Sequence, residues 1–404
     1  MRGWLRQTAG GLPKTFWYLW TGILINRAGA FAILFLSLYL TGPRHLTPAA
    51  AGVVVGGFGV GGAAGTLLGG VLADRWGRRR TLLLGYAGAG ILMYALGLAT
   101  ALPLIAALTG LVGAFTTMTG PAAVAAIVDV VPEADRTRAF NLQFWAFNLG
   151  TAAASLIAGL VAEVSFTLLF VIDGSATLVA ALLVLAKVPE SLPAGHVEAP
   201  AGHGIRTALT DRIFLAFVGL TLIQAVLYAQ SSTILPLSMK ADHLPPAGYG
   251  LVISLGAVLI VLGQLFVPAL IQRRRKGSVL ALATALLAVG YGSVRFVDVL
   301  PGYLAAAVVW TAGSMLAAPP NAAVIAELAP PTIRARYQAV FFLTFSLAAF
   351  LAPALGGLSF QEFGPWHWLV CAGLGLAASA GHLAASGPRE RRVAATRADE
   401  LVAA

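Results

Sequence analysis

The most informative group of charged residues in this chain is the segment GVLADRWGRRRT at 70–81, which interrupts two long apolar stretches. It places Asp74 four positions before Arg78, so that a carboxylate and a guanidinium can pair on one face of a helix. Gly70 permits close approach of a neighbouring helix, and Gly77 permits a tight turn. The chemistry that these residues support is electrostatic. They can hold two helices together or, as the simpler alternative, form only a charge cluster that sets the orientation of a membrane span.

A second group of polar residues lies within long apolar stretches and includes the pair Asn26-Arg27. At 1.5 Å per residue, Arg27 would lie roughly 18 Å from the start of its stretch, where a guanidinium must face protein or water and find a partner. Arg27 would then contact a substrate, govern a protonation, or pair structurally, with Asp173 as one partner. Other candidates for contact with a small molecule are Thr116, Gln224, Tyr228, Gln230, Trp310 and Asn321. Together they predict a mostly apolar chamber, which suits a lipophilic or amphipathic solute better than a sugar.

Nothing in the sequence predicts an enzyme, a cofactor or a metal site. The six histidines, at 45, 196, 203, 243, 367 and 382, lack the spacing of metal ligands. No G-x-S-x-G nucleophile motif occurs, and the glycine-rich stretch 52–70 is not followed by the G-K-[ST] of a phosphate loop. Cys371 is the only cysteine, so an intrachain disulfide is excluded and thiol chemistry is not expected.

The composition predicts the elements that position these residues. Of the 404 residues, 58% are hydrophobic and 10% are charged, and the mean hydropathy is +0.85. Because a spanning helix needs about 20 apolar residues, the chain is predicted to be an all-α polytopic membrane protein. The apolar runs predict twelve spans, at 15–40, 48–72, 80–100, 103–130, 138–162, 166–187, 212–239, 246–270, 277–297, 302–327, 333–360 and 364–386.

Basic residues are unevenly distributed over the breaks between these spans. All but four of the 26 Lys and Arg residues fall in alternate breaks or at the termini, the exceptions being Arg27, Arg44, Lys240 and Arg295. The positive-inside rule therefore predicts that both termini are cytoplasmic. The predicted location is the inner (plasma) membrane, as a multi-pass protein. The net charge of +10 then serves orientation and contact with anionic membrane lipids, and no nucleic-acid partner is expected.

One long polar segment, rich in Pro and Gly, separates six spans from six. Such a connector between equal bundles is typical of a linker. It predicts an N-terminal six-helix bundle at 1–187, a cytoplasmic linker at 188–211, a C-terminal six-helix bundle at 212–386 and a cytoplasmic tail at 387–404.

The two halves also repeat each other. A shift of 198 positions places Pro121 on Pro319, Asp129 on Glu327, Phe144 on Phe342, Phe147 on Phe345 and Gly159 on Gly357. Because this shift moves each span by six, an even number, both halves have the same orientation in the membrane. The repeat therefore predicts two pseudo-symmetric bundles.

Twelve spans in two parallel halves, and the motif G-x-L-A-D-R-x-G-R-R-x-T after the second span, resemble the major facilitator superfamily. Within it, GSMLAAPPNAAVIAELAPPTIRARYQAVFF and PAAVAAIVDVVPEADRTRAFNLQFWAFNLG are similar to bacterial twelve-span drug exporters. The resemblance implies that the first, fourth, seventh and tenth spans line a cavity. It also implies a latch for the outward-facing state, with Asp74 against the eleventh span and Arg78 near Asp129. The residues of this predicted latch are Gly70, Asp74, Arg75, Gly77, Arg78, Asp129 and, near Arg273 and Lys276 of the second half, Glu327.

The predicted function is secondary transport by alternating access, with export of a small lipophilic or amphipathic compound by a monomer. Proton coupling is implied by the resemblance alone, because no carboxylate lies midway along the first, fourth, seventh or tenth span. The family's fourth-span arginine is absent near Ala106 or Thr109, and the fifth span lacks the family's Gly-Pro pair. The alternatives are transport of a polar metabolite such as a sugar or peptide, and a receptor or lipid scramblase. Loss of Asp74 would stop a carrier, whereas a receptor would tolerate it.

Overall fold

The structure is a computed structural model that describes residues 10–192, 205–264, 266–272, 274–329, 334–392 and 394. All regular structure in these ranges is helical. Long apolar stretches form helices because a helix satisfies its own backbone polar groups, which lipid does not. The predicted all-α membrane class is confirmed.

Within the described residues, eleven helical segments are long and apolar enough to cross a bilayer, and the last of them, Arg336–Arg392, contains two spans. The 3₁₀ turn Gly364–Trp366 divides these two, and Gly364 has a φ of 54°. The prediction of twelve spans is therefore confirmed. In order, the spans are Lys14–Ala28 with Ala32–Thr41, Pro48–Arg75, Arg78–Leu98, Leu102–Val130, Arg136–Val164, Phe166–Lys187, Arg212–Thr233 with Leu235–Ala241, Pro246–Gly263 with Val267–Ile271, Lys276–Ser293, Leu300–Leu328, Arg334–Phe363 and His367–Ala384.

The first span is not the continuous helix that the sequence predicted, because it is interrupted between Ala28 and Ala32. The interruption begins at Gly29, where an added Cβ would overlap Ala176, so the first and sixth spans approach each other closely. Asp173 of the sixth span accepts a hydrogen bond from the Ala32 N–H at 3.1 Å and so caps the second helix. Non-helical backbone at membrane depth is tolerated where protein buries it in this way.

The contacts between the two bundles follow a pseudo-twofold symmetry. The second span meets the eleventh at Gly52, where an added Cβ would overlap the Pro353 carbonyl oxygen. The eighth span meets the fifth at Gly250, where an added Cβ would overlap the Ser155 carbonyl oxygen. Gly250 follows Gly52 by 198 positions, and Pro353 follows Ser155 by 198 positions. We call these regions the 2/11 contact and the 5/8 contact. Each is the image of the other with the halves exchanged, as a twofold axis requires.

Hydrogen bonds repeat the same symmetry. The Ala49 N–H donates to Gln361 Oε1 at 3.3 Å in the 2/11 contact, and the Ala247 N–H donates to Glu163 Oε1 at 3.4 Å in the 5/8 contact. Both pairs are again related by 198 positions. The two pseudo-symmetric bundles that the repeat predicted are therefore present in the structure.

The bundles touch at one end and separate at the other. We call the end that carries the turn between the second and third spans the basic side, and the other end the opposite side; both contacts lie on the opposite side. Gly70 follows Gly52 by about five helical turns and so lies on the same helix face. An added Cβ at Gly70 would nevertheless meet no atom of the described residues within 4 Å. The second span therefore diverges from the eleventh toward the basic side, where the space between the bundles opens.

The predicted domain boundaries fall partly outside the described residues. Residues 193–204 of the linker and nearly all of the tail beyond 392 are among those not described, as is Arg273. The sixth span ends at Lys187, the seventh begins at Arg212, and the described part of the linker contains the short helix Ile205–Thr210. The boundaries themselves stay a prediction.

Candidate functional site

A cavity of about 520 Å³ lies between the bundles, on the basic side of the 2/11 and 5/8 contacts. We call it the central cavity. Its wall is formed by the fifth and the seventh to eleventh spans, and its apolar part includes Phe144, Phe147, Ile260, Leu287, Met315 and Phe345. Among the described residues that line it, none is Asp, Glu, Lys, Arg or His. The chamber is therefore apolar and uncharged.

A small group of amides supplies the polarity of the central cavity. Asn321 Nδ2 donates to Gln224 Oε1 at 3.2 Å, and Gln224 Nε2 donates to Thr284 Oγ1 at 3.3 Å. Two buried amide oxygens of the wall, Asn321 Oδ1 and Gln264 Oε1, have no hydrogen-bond partner among the described residues. These oxygens are acceptors that a bound molecule with an N–H or O–H group would satisfy.

Three of the predicted substrate residues line the central cavity, namely Gln224, Tyr228 and Asn321. Gln230 does not, because at 100° per residue it points about 120° away from Gln224, and it packs on the eleventh span instead. Trp310 is also away from the wall. It lies on the tenth span about 16 Å nearer the opposite side than Asn321, where it stacks on a tyrosine of the ninth span.

The resemblance implied that the first and fourth spans line a cavity, but neither contributes a residue to the wall of the central cavity. Thr116 of the fourth span is accordingly outside it, and the Thr116 carbonyl accepts a hydrogen bond from Thr119 Oγ1 at 2.7 Å. The fifth span stands between the first span and the chamber. The reason is a close helix crossing, since an added Cβ at Gly150 would lie 2.6 Å from the Arg27 Cβ.

Arg27 lies behind the cavity wall. The carbon at the centre of its guanidinium is 4.1 Å from the centroid of the Phe147 ring, and Phe147 lines the central cavity. The face of an aromatic ring attracts a guanidinium, so this contact partly replaces the hydration that Arg27 loses. Arg27 is thus separated from a molecule in the cavity by one side chain.

Asp173 is the only buried acid among the described residues. One of its oxygens accepts from the Ala32 N–H, and the other lies 3.5 Å from Thr177 Oγ1. Thr177 in turn accepts a hydrogen bond from Asn26 Nδ2 at 3.0 Å. Arg27 is within electrostatic range of Asp173. The predicted pair Asn26-Arg27 therefore belongs to a polar cluster around the break in the first span.

The predicted latch centres on Arg78, whose side chain is buried. Its Nε donates to Asp129 Oδ2 at 3.0 Å, and its Nη1 lies 3.5 Å from Asp74 Oδ1 and donates to the Ala73 carbonyl at 2.7 Å. This one guanidinium connects the ends of the second, third and fourth spans. Gly70 and Arg75 lie on the last turns of the second span, next to this group.

Glu190, which the sequence analysis missed, also belongs to this group. Its Oε1 accepts a hydrogen bond from the Arg78 N–H at 2.8 Å, so the carboxylate caps the start of the third span. Gly77 has a φ of 113°, and an added Cβ there would overlap the Glu190 carboxylate. Both the backbone conformation and the available space therefore favour glycine at this position. The only indication in the sequence was the position of Glu190, an acidic residue shortly after the end of the sixth span.

The second half contains an image of the Arg78–Asp129 ion pair. Lys276 Nζ pairs with Glu327 Oε1, joining the ninth and tenth spans. Lys276 follows Arg78, and Glu327 follows Asp129, by 198 positions. Glu327 thus pairs with one of the two basic residues near which it was predicted to lie, and its part in a latch stays a prediction.

The aromatic wall residues were missed as site residues, although the repeat contained a signal for them. Phe147 and Phe345 are 198 positions apart, and both line the central cavity. Phe144 lines it as well, whereas its image Phe342 does not. The repeated aromatic pair near the basic ends of the fifth and eleventh spans could have indicated a binding site. The repeat alone, however, does not reveal which face of a helix lies toward the cavity.

Asp211, directly before the seventh span, holds a second polar group on the basic side. It accepts hydrogen bonds from the Phe214 N–H at 3.1 Å, from Tyr337 Oη at 2.8 Å and from Arg392 Nη1 at 2.6 Å. Burial alone would raise the pKa of this carboxyl, but the hydrogen bonds, led by that from Arg392, outweigh burial and lower the pKa below its ordinary value. The charged form of Asp211 is therefore stabilised in the folded protein.

Comparisons with known proteins agree with this architecture. The family model described as Major Facilitator Superfamily matches residues 19–237 and 220–401. The uncharacterized MFS-type transporters YqjV and YttB of Bacillus subtilis (strain 168) are 24% and 25% identical, over 86% and 87% of this chain and 87% and 90% of theirs. A POT family transporter in complex with a thioalcohol conjugated peptide has a TM-score of 0.80 at 14% identity, covering 93% of this chain and 97% of its own. The nucleoside transporter NupG has a TM-score of 0.80 at 12% identity, covering 92% and 99%. These two structures share the fold.

Proposed function

The chain belongs to the Major Facilitator Superfamily, and on this premise we propose that it exports small lipophilic or amphipathic molecules by alternating access. Membership makes the protein a membrane transporter and not an enzyme. The observation that carries the choice of cargo is the uncharged, aromatic wall of the central cavity. Its volume of about 520 Å³ suits a drug-sized molecule, since such pockets measure roughly 300–1,000 Å³.

The uncharged wall argues against a peptide as the cargo. A peptide has an ammonium and a carboxylate, and burial of each without a countercharge costs several kcal/mol. Arg27, the cation nearest to the wall on the first span, is covered by Phe147. A lipophilic molecule has no such cost and gains contacts with Phe144, Phe147 and Phe345.

The amide side chains of the cavity wall favour a second candidate cargo, an uncharged polar solute such as a nucleoside. Asn321 and Gln264 each have a buried acceptor oxygen without a partner in the described part of the chain. A nucleoside has hydrogen-bond donors for them and no charge. The same two oxygens also fit an amphipathic drug-like molecule with one or two donors, so the amides alone do not separate the two candidates.

Alternating access is supported by the way in which the bundles meet. The 2/11 and 5/8 contacts close the opposite side, whereas the second span has no neighbour at Gly70, near the basic side, within the described residues. We propose that the transporter closes the basic side in its other state, and that Asp74, Arg78 and Asp129 then form the latch against the eleventh span. The symmetry of the 2/11 and 5/8 contacts supports this motion, because one tilt between two rigid bundles would open both.

The distribution of basic residues supports an orientation in which the basic side faces the cytoplasm across a plasma membrane. In that orientation the central cavity opens to the cytoplasm, where a compound destined for export would enter. The polar cluster of Asn26, Arg27, Asp173 and Thr177 around the break in the first span supplies a site for proton coupling. Protonation of Asp173 would weaken the cap on Ala32 and remove a negative charge near Arg27. Arg27 would transmit that change to the cavity wall through Phe147.

Transport by the purified protein in liposomes tests the proposal. A fluorescent, neutral lipophilic dye is the labelled substrate, and unlabelled uncharged drugs, dipeptides and nucleosides are competitors. We expect lipophilic compounds to compete, and Phe147→Ala or Phe345→Ala to weaken their apparent affinity by about tenfold or more, as expected for loss of a buried aromatic contact. Phe296→Ala, at an exposed phenylalanine on the opposite side, is the control. Competition by dipeptides or nucleosides alone would contradict the proposed cargo.

A further inference from the structure

A second cavity, of about 370 Å³, lies on the basic side of the C-terminal bundle and is separate from the central cavity. It is bounded by the start of the ninth span, the end of the tenth span and the segment after the twelfth. The charged residues that line it are Arg274, Arg275, Lys276 and Arg389, with the acids Glu327 and Glu390. Since Lys276 and Glu327 pair with each other, three arginines and one carboxylate remain. The cavity is therefore positively charged.

Arg389 differs from the other basic residues of this cavity because it is only 5% exposed. Its Nε donates to the Ala385 carbonyl at 3.0 Å and its Nη2 to the His382 carbonyl at 2.8 Å. Its Nη1 is buried and has no hydrogen-bond partner among the described residues. A buried donor without an acceptor is unfavourable. Because Arg389 also lines the cavity, a ligand oxygen that reached its guanidinium would be stabilising.

The ninth span adds a further attraction for an anion. Its helix begins at Lys276 with no side chain capping its first N–H groups within the described residues, and these groups carry a partial positive charge. Gly277 lines the cavity, and an added Cβ there would lie 3.5 Å from Arg389 Nη2. The helix start and the buried guanidinium therefore face the same small space.

We infer that this cavity binds a phosphate group, carried either by an anionic phospholipid or by free phosphate. Phosphate offers several acceptor oxygens, which match a guanidinium and the N–H groups at a helix start. The cavity lies at the ends of three spans, at the level of lipid headgroups, where clustered basic residues recognise anionic lipids. The inference does not depend on the cargo of the central cavity.

Thermal unfolding of the purified full-length protein in a neutral detergent tests the site. The additions are phosphatidylglycerol, phosphatidylcholine, and inorganic phosphate against chloride at equal ionic strength. We expect phosphatidylglycerol to raise the unfolding temperature and phosphatidylcholine to leave it unchanged. The double variant Arg274→Gln/Arg275→Gln should bind phosphatidylglycerol at least about tenfold more weakly, since each basic residue contributes about fivefold. Stabilisation by inorganic phosphate, lost in the same variant, would support free phosphate as the source.

The matched control is Arg80→Gln/Lys187→Gln, which removes the same charge from two exposed positions on the basic side of the N-terminal bundle, neither of which lines the cavity. It should respond to phosphatidylglycerol as the wild type does. Arg389→Gln should weaken binding further, and the double variant keeps the test decisive if Arg389→Gln does not fold. Equal stabilisation by phosphatidylcholine, or an equal loss in the control, would overturn the inference, as would the absence of any effect of phosphatidylglycerol and phosphate.

Discussion

At the scale of single residues, Asp173→Asn separates the charge of this side chain from its hydrogen bonding. An amide oxygen can still accept from the Ala32 N–H, so the cap on the broken first span is retained. In proteoliposomes we expect the variant to keep exchange of labelled for unlabelled substrate, which needs no net proton movement. Accumulation driven by an imposed pH gradient should fall to the level of empty liposomes, because a neutral side chain cannot bind and release a proton near Arg27.

Glu163→Gln is the matched control for that variant. Glu163 is also a carboxylate that accepts from a backbone N–H, and its image Gln361 already makes the equivalent hydrogen bond with an amide. The control should therefore retain transport driven by the gradient. If Asp173→Asn also retains it, proton binding by Asp173 is not part of the mechanism, whereas a wild type without any gradient response would exclude proton coupling altogether.

Asp211 leads to a prediction about stability and pH. The pKa of its carboxyl is lowered in the folded protein, so its contribution to stability is present above the pKa of the unfolded chain and is lost as the pH falls through the folded-state pKa. We expect Asp211→Asn to lower the unfolding temperature by a few degrees at neutral pH, and the difference from wild type to disappear in acid. Thermal scans from neutral to acidic pH measure it. Asp298→Asn, at an exposed loop position, should show no such trend.

Sequence reasoning identified a contact correctly where the family resemblance implied both of its members. It selected Arg78 and Asp129, which the structure places 3.0 Å apart. It was less informative for Arg27, because depth along a helix does not reveal the direction of a side chain, and this one points at Phe147. It missed Glu190, whose contact with the third span depends on how the sixth span ends rather than on any local pattern.

At the scale of helices, the small residues of the second span lead to a prediction about conformation. Gly52→Val would place side-chain atoms on the Pro353 carbonyl oxygen of the eleventh span, which we expect to destabilise the closed 2/11 contact by about 1–3 kcal/mol. The population should therefore shift toward a state that is open on the opposite side. Spin labels at His45→Cys and Glu362→Cys, in a background without Cys371, measure this as a longer distance.

Gly70→Val is the contrasting variant on the same helix face. In the present state an added Cβ at Gly70 meets no described atom within 4 Å, so the closed 2/11 contact should be unaffected. The same side chain would obstruct closure of the basic side. We expect the label distance to stay short in Gly70→Val even when substrate is added. A longer distance would contradict the assignment of Gly70 to the other state.

The spans themselves were predictable because lipid requires long apolar runs, and the charged breaks determine where such runs end. The break between Ala28 and Ala32 was not predictable in the same way. Residues 28–32 are all apolar, like the rest of a typical span. The break depends on Gly29 approaching Ala176 and on Asp173 acting as a cap from another helix. Such tertiary contacts are absent from a pattern of hydropathy along one span.

At the scale of the whole molecule, duplication is the feature that the sequence revealed most completely. A single shift of 198 positions relates Gly52 to Gly250 and Ser155 to Pro353, and the structure joins these four residues in two equivalent contacts. The repeat does not reveal the conformational state, that is, which side of the molecule is closed. The side on which the two bundles are closed depends on the balance between those contacts and the ones that would form on the basic side, including any at Gly70.

The symmetry predicts that opening is a property of the whole molecule. If the two bundles tilt as rigid bodies, Gly52→Val in the 2/11 contact should also open the 5/8 contact, which it does not touch. Labels at Val164→Cys and Ala241→Cys should then move apart, and labels at Asn141→Cys and Gln272→Cys on the basic side should approach each other. Gly250→Val should have the same effect on both pairs, because it is the image of Gly52→Val. A change confined to the mutated contact would show that the helices bend locally, and alternating access by rigid bundles would then be excluded.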